Sequence, residues 1–273
     1  MGFLKAMNIY PEFQHQYKNY IEIGSQYLSN KKICATGLIR NGADHINDKL
    51  QFFNLLRNHC AALDVIIYEN DSSDNTAEIL NSWSDPRIQF KIISETLNAQ
   101  HRGHPHKDIE RTMAMAHYRN KCQNYIREYI NVDYIIVLDL DYIDISFYGI
   151  LNSFGWISEI SSIDMMAGFS YHKSQNNILS NYDSWAYRGN WWNDYQSDPY
   201  FGNSFFYSRP FIGSSPFKVN SAFGGSCIYK QSIYLTGKYS GEDCEHVTFH
   251  KSIYNNNPNS YNLYVNPSQI MIL

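Results

Sequence analysis

The sequence predicts one α/β domain with a central, mostly parallel sheet flanked by helices. Three observations lead there. Short apolar runs recur and end in polar turns, as strands of a buried parallel sheet do. Stretches close to helical spacing separate these runs, and strict strand–helix alternation implies right-handed crossovers. The chain has 273 residues, 44% hydrophobic and 18% charged, enough for one large core and too apolar for disorder.

The elements follow in order. Residues 1–32 read as a polar helical lead-in without a core stripe, and 33–273 as the domain proper. ICATGLIRN (33–41) is the first strand. Ile46, Leu50, Phe53, Leu56 and Cys60 then mark a helix over 44–60. LDVIIYEND (63–71) is the second strand. Ser73 or Asp74 caps the next helix, which Asp85-Pro86 ends. Ile88 to Ile93 is a third strand, 108–130 the longest helix, and Val132 to Leu138 a fourth strand. The second half is less regular: a strand at 164–171, a loop over 181–217, a strand at 221–229, a helix at 241–254 and a short strand at 262–265. Residues 33–141 form one half and 142–273 the other, with no repeat or long linker between them.

Composition excludes several classes. The net charge of −4 argues against nucleic acid as a partner. No apolar run approaches the roughly 18 residues of a membrane span, which leaves only peripheral membrane contact open. The first twenty residues lack the apolar core of a secretory signal, and Gly2 lacks the downstream Ser or Thr of a myristoylation site. Cys34, Cys60, Cys122, Cys227 and Cys244 are odd in number and never in CxxC spacing, so buried thiols in a reducing cytoplasm are expected.

Two strand ends carry chemistry. Asp139-Leu140-Asp141 follows the fourth strand directly. In extended chain alternate side chains share a face, so the two carboxylates project together and Leu140 turns to the core. Paired hard oxygen donors suit Mg²⁺ or Mn²⁺ carrying a diphosphate. YENDSSDNT (68–76) is the second: Glu69 is placed to accept hydrogen bonds from a base or ribose, while Ser72, Ser73 and Thr76 fit an ordinary turn and cap. In open α/β sheets ligands sit at these carboxyl ends.

These motifs resemble those of family-two-type GT-A glycosyltransferases. YENDSSDNT keeps register with the family's donor-binding turn through nine positions, with Ser72, Asp74 and Thr76 identical. Tyr118-Arg119-Asn120 resembles its "arN" and Asp139-Leu140-Asp141 its DxD. YDSWAYR (182–188) and VNSAFGGSCIY (219–229) are similar to segments of fungal capsule mannosyltransferase-like proteins, and 244–267 to the closing acidic block. The resemblance implies a GT-A-type, Rossmann-like domain. It implies transfer of a sugar from a UDP- or GDP-sugar to a saccharide or glycolipid hydroxyl, in surface polysaccharide or glycan synthesis. Its donor site falls on Arg40, Glu69, Asp71, Arg119, Asn120, Asp139, Trp185, Gly224 and Gly225. The acidic block supplies Glu242, Asp243 and Glu245 as candidate bases for the acceptor hydroxyl. Positions 242 and 245 share one helical face, 243 and 246 its neighbour. Beside Asp139 and Asp141, His246 or His250 is a candidate third metal ligand, and imidazole favours Mn²⁺ over Mg²⁺.

Other features carry less. Arg111 faces phosphate or a surface ion pair. His101, His104 and His106 read as a loop. The rings between 182 and 211, among them Trp185, Trp191, Trp192, Tyr195, Tyr200 and Phe205, form either a sugar-binding wall or a minor core. Two alternatives stand beside the transferase. A sugar-1-phosphate nucleotidyltransferase needs a glycine-rich loop that GLIRNGADH does not supply, and a carbohydrate-binding protein leaves both acidic motifs unused.

Overall fold

The structure, a computed structural model, describes residues 9–98, 109–173, 179–189, 191 and 211–273. The strands are β1 (Lys32–Ile39), β2 (Ala62–Asn70), β3 (Ile88–Glu95), β4 (Tyr134–Asp139), β5 (Asp144–Ile145), β6 (Met165–Lys173), β7 (Leu179–Tyr182), β8 (Phe217–Val219), β9 (Ser226–Lys230) and β10 (Leu263–Ile272). The helices are α1 (Pro11–Leu28), α2 (Ile46–Arg57), α3 (Thr76–Ser82), α4 (Ile109–Tyr129), α5 (Phe147–Glu159), α6 (Gln231–Tyr234) and α7 (Glu245–Asn256).

All described strands join one sheet in the order β3-β2-β1-β4-β9-β6-β10-β5, with β7 added on β6 and β8 on β10. Strands β3, β2, β1 and β4 are parallel, as their unbroken apolar runs require. β9 runs antiparallel between β4 and β6, and β10 is parallel to β6. Alternation across the sheet splits the core in two. Ala35, Ile67 and Ile136 face α2 and α5, whereas Cys34, Ile66 and Ile135 face α4 and α7. The register pairs Leu38 with Asp139 and Ile39 with Glu69, so three strand ends finish at one level.

Several elements depart from the sequence expectation. The sequence expectation leaves 147–159 unassigned, where α5 lies. Phe147, Ile150, Leu151, Phe154 and Ile157 recur there at helical spacing and are buried, with Tyr148 and Glu159 outward, so the helical signal stands in the sequence. The lead-in, expected without a core stripe, is α1 and carries one, with Tyr20, Ile21, Gly24, Tyr27 and Leu28 turned to the core; at Gly24 a Cβ would stand 1.7 Å from the Leu151 carbonyl oxygen of α5. Tyr20 stacks on Trp156 at 3.6 Å between ring centroids. The last strand extends to Ile272 because its buried polar residues are all bonded. Asn266 Nδ2 donates to Asn152 Oδ1 at 3.0 Å, and Gln269 Nε2 donates to Ser226 Oγ at 2.9 Å. The segment expected as one strand from 221 enters through a turn at Gly224 and Gly225 and becomes β9 only at Ser226. Among the described residues no helix is long and apolar enough to cross a membrane.

Candidate active site

Where β1, β2 and β4 end, a pocket of about 470 Å³ opens, lined by Arg40, Asn70, Arg111, Tyr118, Asp139 and Asp141 among others. Its size suits a nucleotide. Leu140 is 1% exposed, so the two aspartates share the open face while the residue between them enters the core. The opposite wall is Tyr118 of α4, stacked on Tyr68 at 4.7 Å. Tyr68 donates to Glu95 Oε2 at 2.7 Å, and Lys121 holds Glu95 Oε1 at 2.6 Å.

The loops after β1 and β2 are latched together. Asn41 N donates to Ser72 Oγ at 3.0 Å, Gly42 N to Thr76 Oγ1 at 2.7 Å, and Ala43 N to Asp74 Oδ2 at 3.0 Å. In return Ser73 N donates to Asn41 Oδ1 at 2.8 Å. Ser72 and Thr76 thus fasten one loop to the other, and the N-cap of α3 is Asn75, without a side-chain cap bond, in place of the expected Ser73 or Asp74.

One buried arginine organises the acids. Arg119, 4% exposed, donates from Nη2 to Asp139 Oδ1 at 3.0 Å and from Nε to Glu245 Oε1 at 3.2 Å. Burial opposes its charge, but Glu245 and Asp139 more than offset that and raise its pKa. Burial pushes the Asp139 carboxyl up to about 8 against the pull of Arg119, with Asp141 and Asp183 adding like charge. A carboxylate so burdened has an electrostatic demand for a cation. Asp139 and Asp141 therefore fit a hard divalent ion that takes its remaining ligands from water and phosphate oxygens. Among the described residues no three His, Cys, Asp or Glu side chains form a closed metal cluster.

The sequence from residue 43 to residue 260 matches the family model described as Cryptococcal mannosyltransferase 1. The chain belongs to this mannosyltransferase family. No curated protein matches it. In fold this family member is similar to the mannosyltransferase PcManGT from Pyrobaculum calidifontis in complex with GDP-Man and Mn²⁺. The TM-score is 0.52 at 12% identity, over 96% of this chain and 65% of that one. It is also similar to S. aureus TarS 1–349 in complex with UDP-GlcNAc, with TM-score 0.53 at 13% identity, over 89% of this chain and 58% of that one. A third likeness is to the Mycobacterium tuberculosis glucosyl-3-phosphoglycerate synthase in complex with Mn²⁺, UDP and phosphoglyceric acid. Here the TM-score is 0.50 at 11% identity, over 90% of this chain and 72% of that one. The chain spans less than two thirds of the first two proteins. At these identities the likeness is one of fold, the GT-A fold of nucleotide-sugar glycosyltransferases.

Within the family fold, the expected site residues separate. Arg40, Asp139 and Asp141 meet at the pocket, and Arg111 joins them. Glu69 does not line it: its carboxylate accepts from Ser72 N at 3.0 Å and Ser94 Oγ at 2.7 Å, and the neighbouring Asn70 lines the pocket instead. Asp71, with φ at 51°, turns to the amides of Leu97 and Asn98 at 2.8 and 2.9 Å and holds the exit of β3. Asn120 exchanges hydrogen bonds with the Tyr239 backbone, a structural pin. Trp185 sits on a 3-10 turn, Ser184–Ala186. Gly225 O accepts from Asp139 N at 2.8 Å.

The acidic block needs correction. α7 begins at Glu245, so Glu242 and Asp243 precede the helix and share no helical face with 245 or 246. Glu242 is exposed. Asp243 pairs with the buried Arg188 at 2.8 Å, as Glu245 pairs with Arg119. Both carboxylates hold a buried arginine in place. His250 is no metal ligand: Ser221 Oγ lies 2.9 Å from Nδ1 and Tyr229 OH 2.9 Å from Nε2, so both nitrogens are engaged inside the core. His246 lies flat on Phe223, with centroids 3.6 Å apart, and burial holds its pKa well below the ordinary value. Both of its ring nitrogens are buried without a hydrogen-bond partner among the described residues, so of the two histidines expected as third ligand only His246 keeps a nitrogen unengaged. His101, His104, His106, Trp192, Tyr195, Tyr200 and Phe205 lie outside the described residues. Asp183, Asn70 and Tyr118 were not among the expected site residues. Asn70 and Tyr118 were within reach, since they stand inside the two motifs that supplied Glu69 and Arg119.

Proposed function

We propose that the chain transfers a hexose from a nucleoside-diphosphate sugar to a hydroxyl of a saccharide or glycolipid. The observation that carries this reading is the pairing of Asp139 and Asp141 on the face of a nucleotide-sized pocket that also presents Arg40 and Arg111. Asp139 and Asp141 would hold a divalent ion, Mn²⁺ or Mg²⁺, which would supply positive charge for a departing diphosphate. Tyr118 offers a ring face to the base, Asn70 hydrogen-bonds the nucleoside, and Arg40 and Arg111 meet phosphate. Arg119 keeps Asp139 aimed at the pocket.

The bound GDP-Man of PcManGT and UDP-GlcNAc of TarS support a GDP- or UDP-sugar as donor, and the Mn²⁺ of two relatives in fold supports the metal. The mannosyltransferase family supports surface polysaccharide or glycan synthesis as the setting. Five buried, unpaired cysteines support a reducing, cytoplasmic site of action, with any membrane contact peripheral. A nucleotidyltransferase is less well supported, because the amides after β1 are spent on the latch rather than held out to phosphate.

Calorimetric titration tests the reading with GDP, UDP, GDP-mannose and UDP-glucose, each with and without Mn²⁺, on the wild type and Asp141→Ala. One nucleotide series is expected to bind only with metal, and Asp141→Ala to abolish it. Binding of no nucleotide under any condition refutes it.

A further inference from the structure

Leu38 lines two cavities: the nucleotide-sized pocket and a small one of about 10 Å³. Thr36, Arg119, Cys122, Tyr234 and Tyr239 stand in the wall of the smaller. A space of that size admits a single water molecule.

Two hydroxyls in this wall are unsatisfied. Thr36 Oγ1 and the Tyr239 hydroxyl are buried and have no hydrogen-bond partner among the described residues. Buried hydroxyls normally have one. Neither side chain is free to turn elsewhere. Thr36 sits in the middle of the sheet, in register with Ile66 on β2 and Val137 on β4, and its β-branched side chain has few rotamers. The Tyr239 ring lies parallel on Phe249 with centroids 3.9 Å apart. Its backbone exchanges hydrogen bonds with the Asn120 side chain. Tyr239 interacts with Tyr234 at this cavity and Thr36 with Cys122, yet no hydrogen bond reaches either hydroxyl. A polar gap of this kind is where a bridging water sits.

Arg119 supplies a third polar group. Its guanidinium carries five N–H groups, and Glu245 and Asp139 take one each, at Nε and Nη2. The Phe223 ring lies 5.2 Å from the guanidinium carbon. The same side chain also borders the small cavity.

We infer that this cavity binds one structural water, which accepts from an Arg119 N–H and bridges the hydroxyls of Thr36 and Tyr239. Those two residues thereby position the arginine that aims Asp139. Three polar partners are what a buried water usually has. The water site stands on the cavity and its hydroxyls, while its effect on nucleotide binding rests on the transferase reading.

A crystal structure of the whole chain, at a resolution that shows ordered water, tests the site directly. One water is expected within hydrogen-bond distance of Thr36 Oγ1, the Tyr239 hydroxyl and an Arg119 nitrogen. A dry cavity overturns the proposal. Urea unfolding of Thr36→Val, Tyr239→Phe and the double variant tests the bridge. Each single variant is expected to lose stability, and the double to lose no more than the worse single, because both hydroxyls act through one water. Losses that add overturn the bridge. Positioning is read by Mn²⁺-dependent binding of GDP and UDP. Folded Thr36→Val and Tyr239→Phe are expected to bind about tenfold more weakly, and Thr36→Ser, which keeps the hydroxyl, to bind as the wild type does. Unchanged binding in the first two, or an equal loss in Thr36→Ser, overturns the positioning role. If the wild type binds neither nucleotide, the transferase reading fails, and the crystal structure and the unfolding comparison still decide the water site.

Discussion

His250 is fully buried, and burial alone depresses its pKa from 6.5 to about 3. Replacement by Gln keeps one donor and one acceptor for Ser221 and Tyr229 while removing the titration. The sign follows from proton linkage. Between pH 3 and pH 6.5 the unfolded chain binds a proton that the native ring refuses, so stability is intact above this window and falls as pH falls through it. At pH 5 the unfolded imidazole is favoured by protonation about 30-fold and the native one hardly at all, a loss of about 2 kcal/mol relative to pH 7. Urea unfolding of wild type and His250→Gln at the two pH values reads this directly. The stability gap between them is expected to narrow by about 2 kcal/mol on going to pH 5, because the contribution of His246 is common to both and cancels. The same variant at pH 7 is expected to keep metal-dependent nucleotide binding unchanged. Parallel pH dependence in the two proteins, or loss of that binding in a folded variant, refutes the assignment of His250 to the core.

Gly24→Ala forces α1 away from α5, and thermal melts are expected to show a loss of about 3 kcal/mol. Asp74→Ala unfastens Ala43 and Thr76, costing about 1 kcal/mol in urea unfolding. It also weakens nucleotide binding through displaced Arg40. Lys49, 1% exposed, donates to the Tyr142 carbonyl and lies 3.9 Å over that residue's ring, bracing the chain just past Asp141. Lys49→Met removes a buried cation along with its contacts, so the melting temperature is expected to change little. Mn²⁺-dependent GDP or UDP binding should fall about tenfold by calorimetry, since the loop loses its brace.

Much of the parallel half was legible in the residues. β1, β2 and β4 are buried on both faces and so read as apolar runs, and the DxD declares its geometry through the two-residue repeat of a strand. What failed was orientation. Glu69 and Asp71 hold the right motif positions, yet each turns back to nearby amides, and a carboxylate at a strand tip looks the same in sequence whether it faces ligand or its own turn. Glu242 and Asp243 were assigned helical faces because the helix start was placed early; Cys244, not Gly241, is the residue before the first turn. Asp183 stood in view inside YDSWAYR, but its surroundings did not. Its setting depends on a left-handed backbone and on Gly224, 41 residues away.

The latch between the first two loops also shapes how a donor is held. The amides of Asn41, Gly42, Ala43, Ser72 and Ser73 all point inward to partners of their own. None remains to cradle phosphate as a glycine-rich loop does. On the proposed reading, the negative charge of a diphosphate would be met by two arginine side chains and a dissociable cation. Such a grip responds to ionic strength and to chelators. The enzyme would then hold its donor tightly or loosely according to the salt and divalent metal around it, with the backbone of these loops contributing shape and almost no affinity.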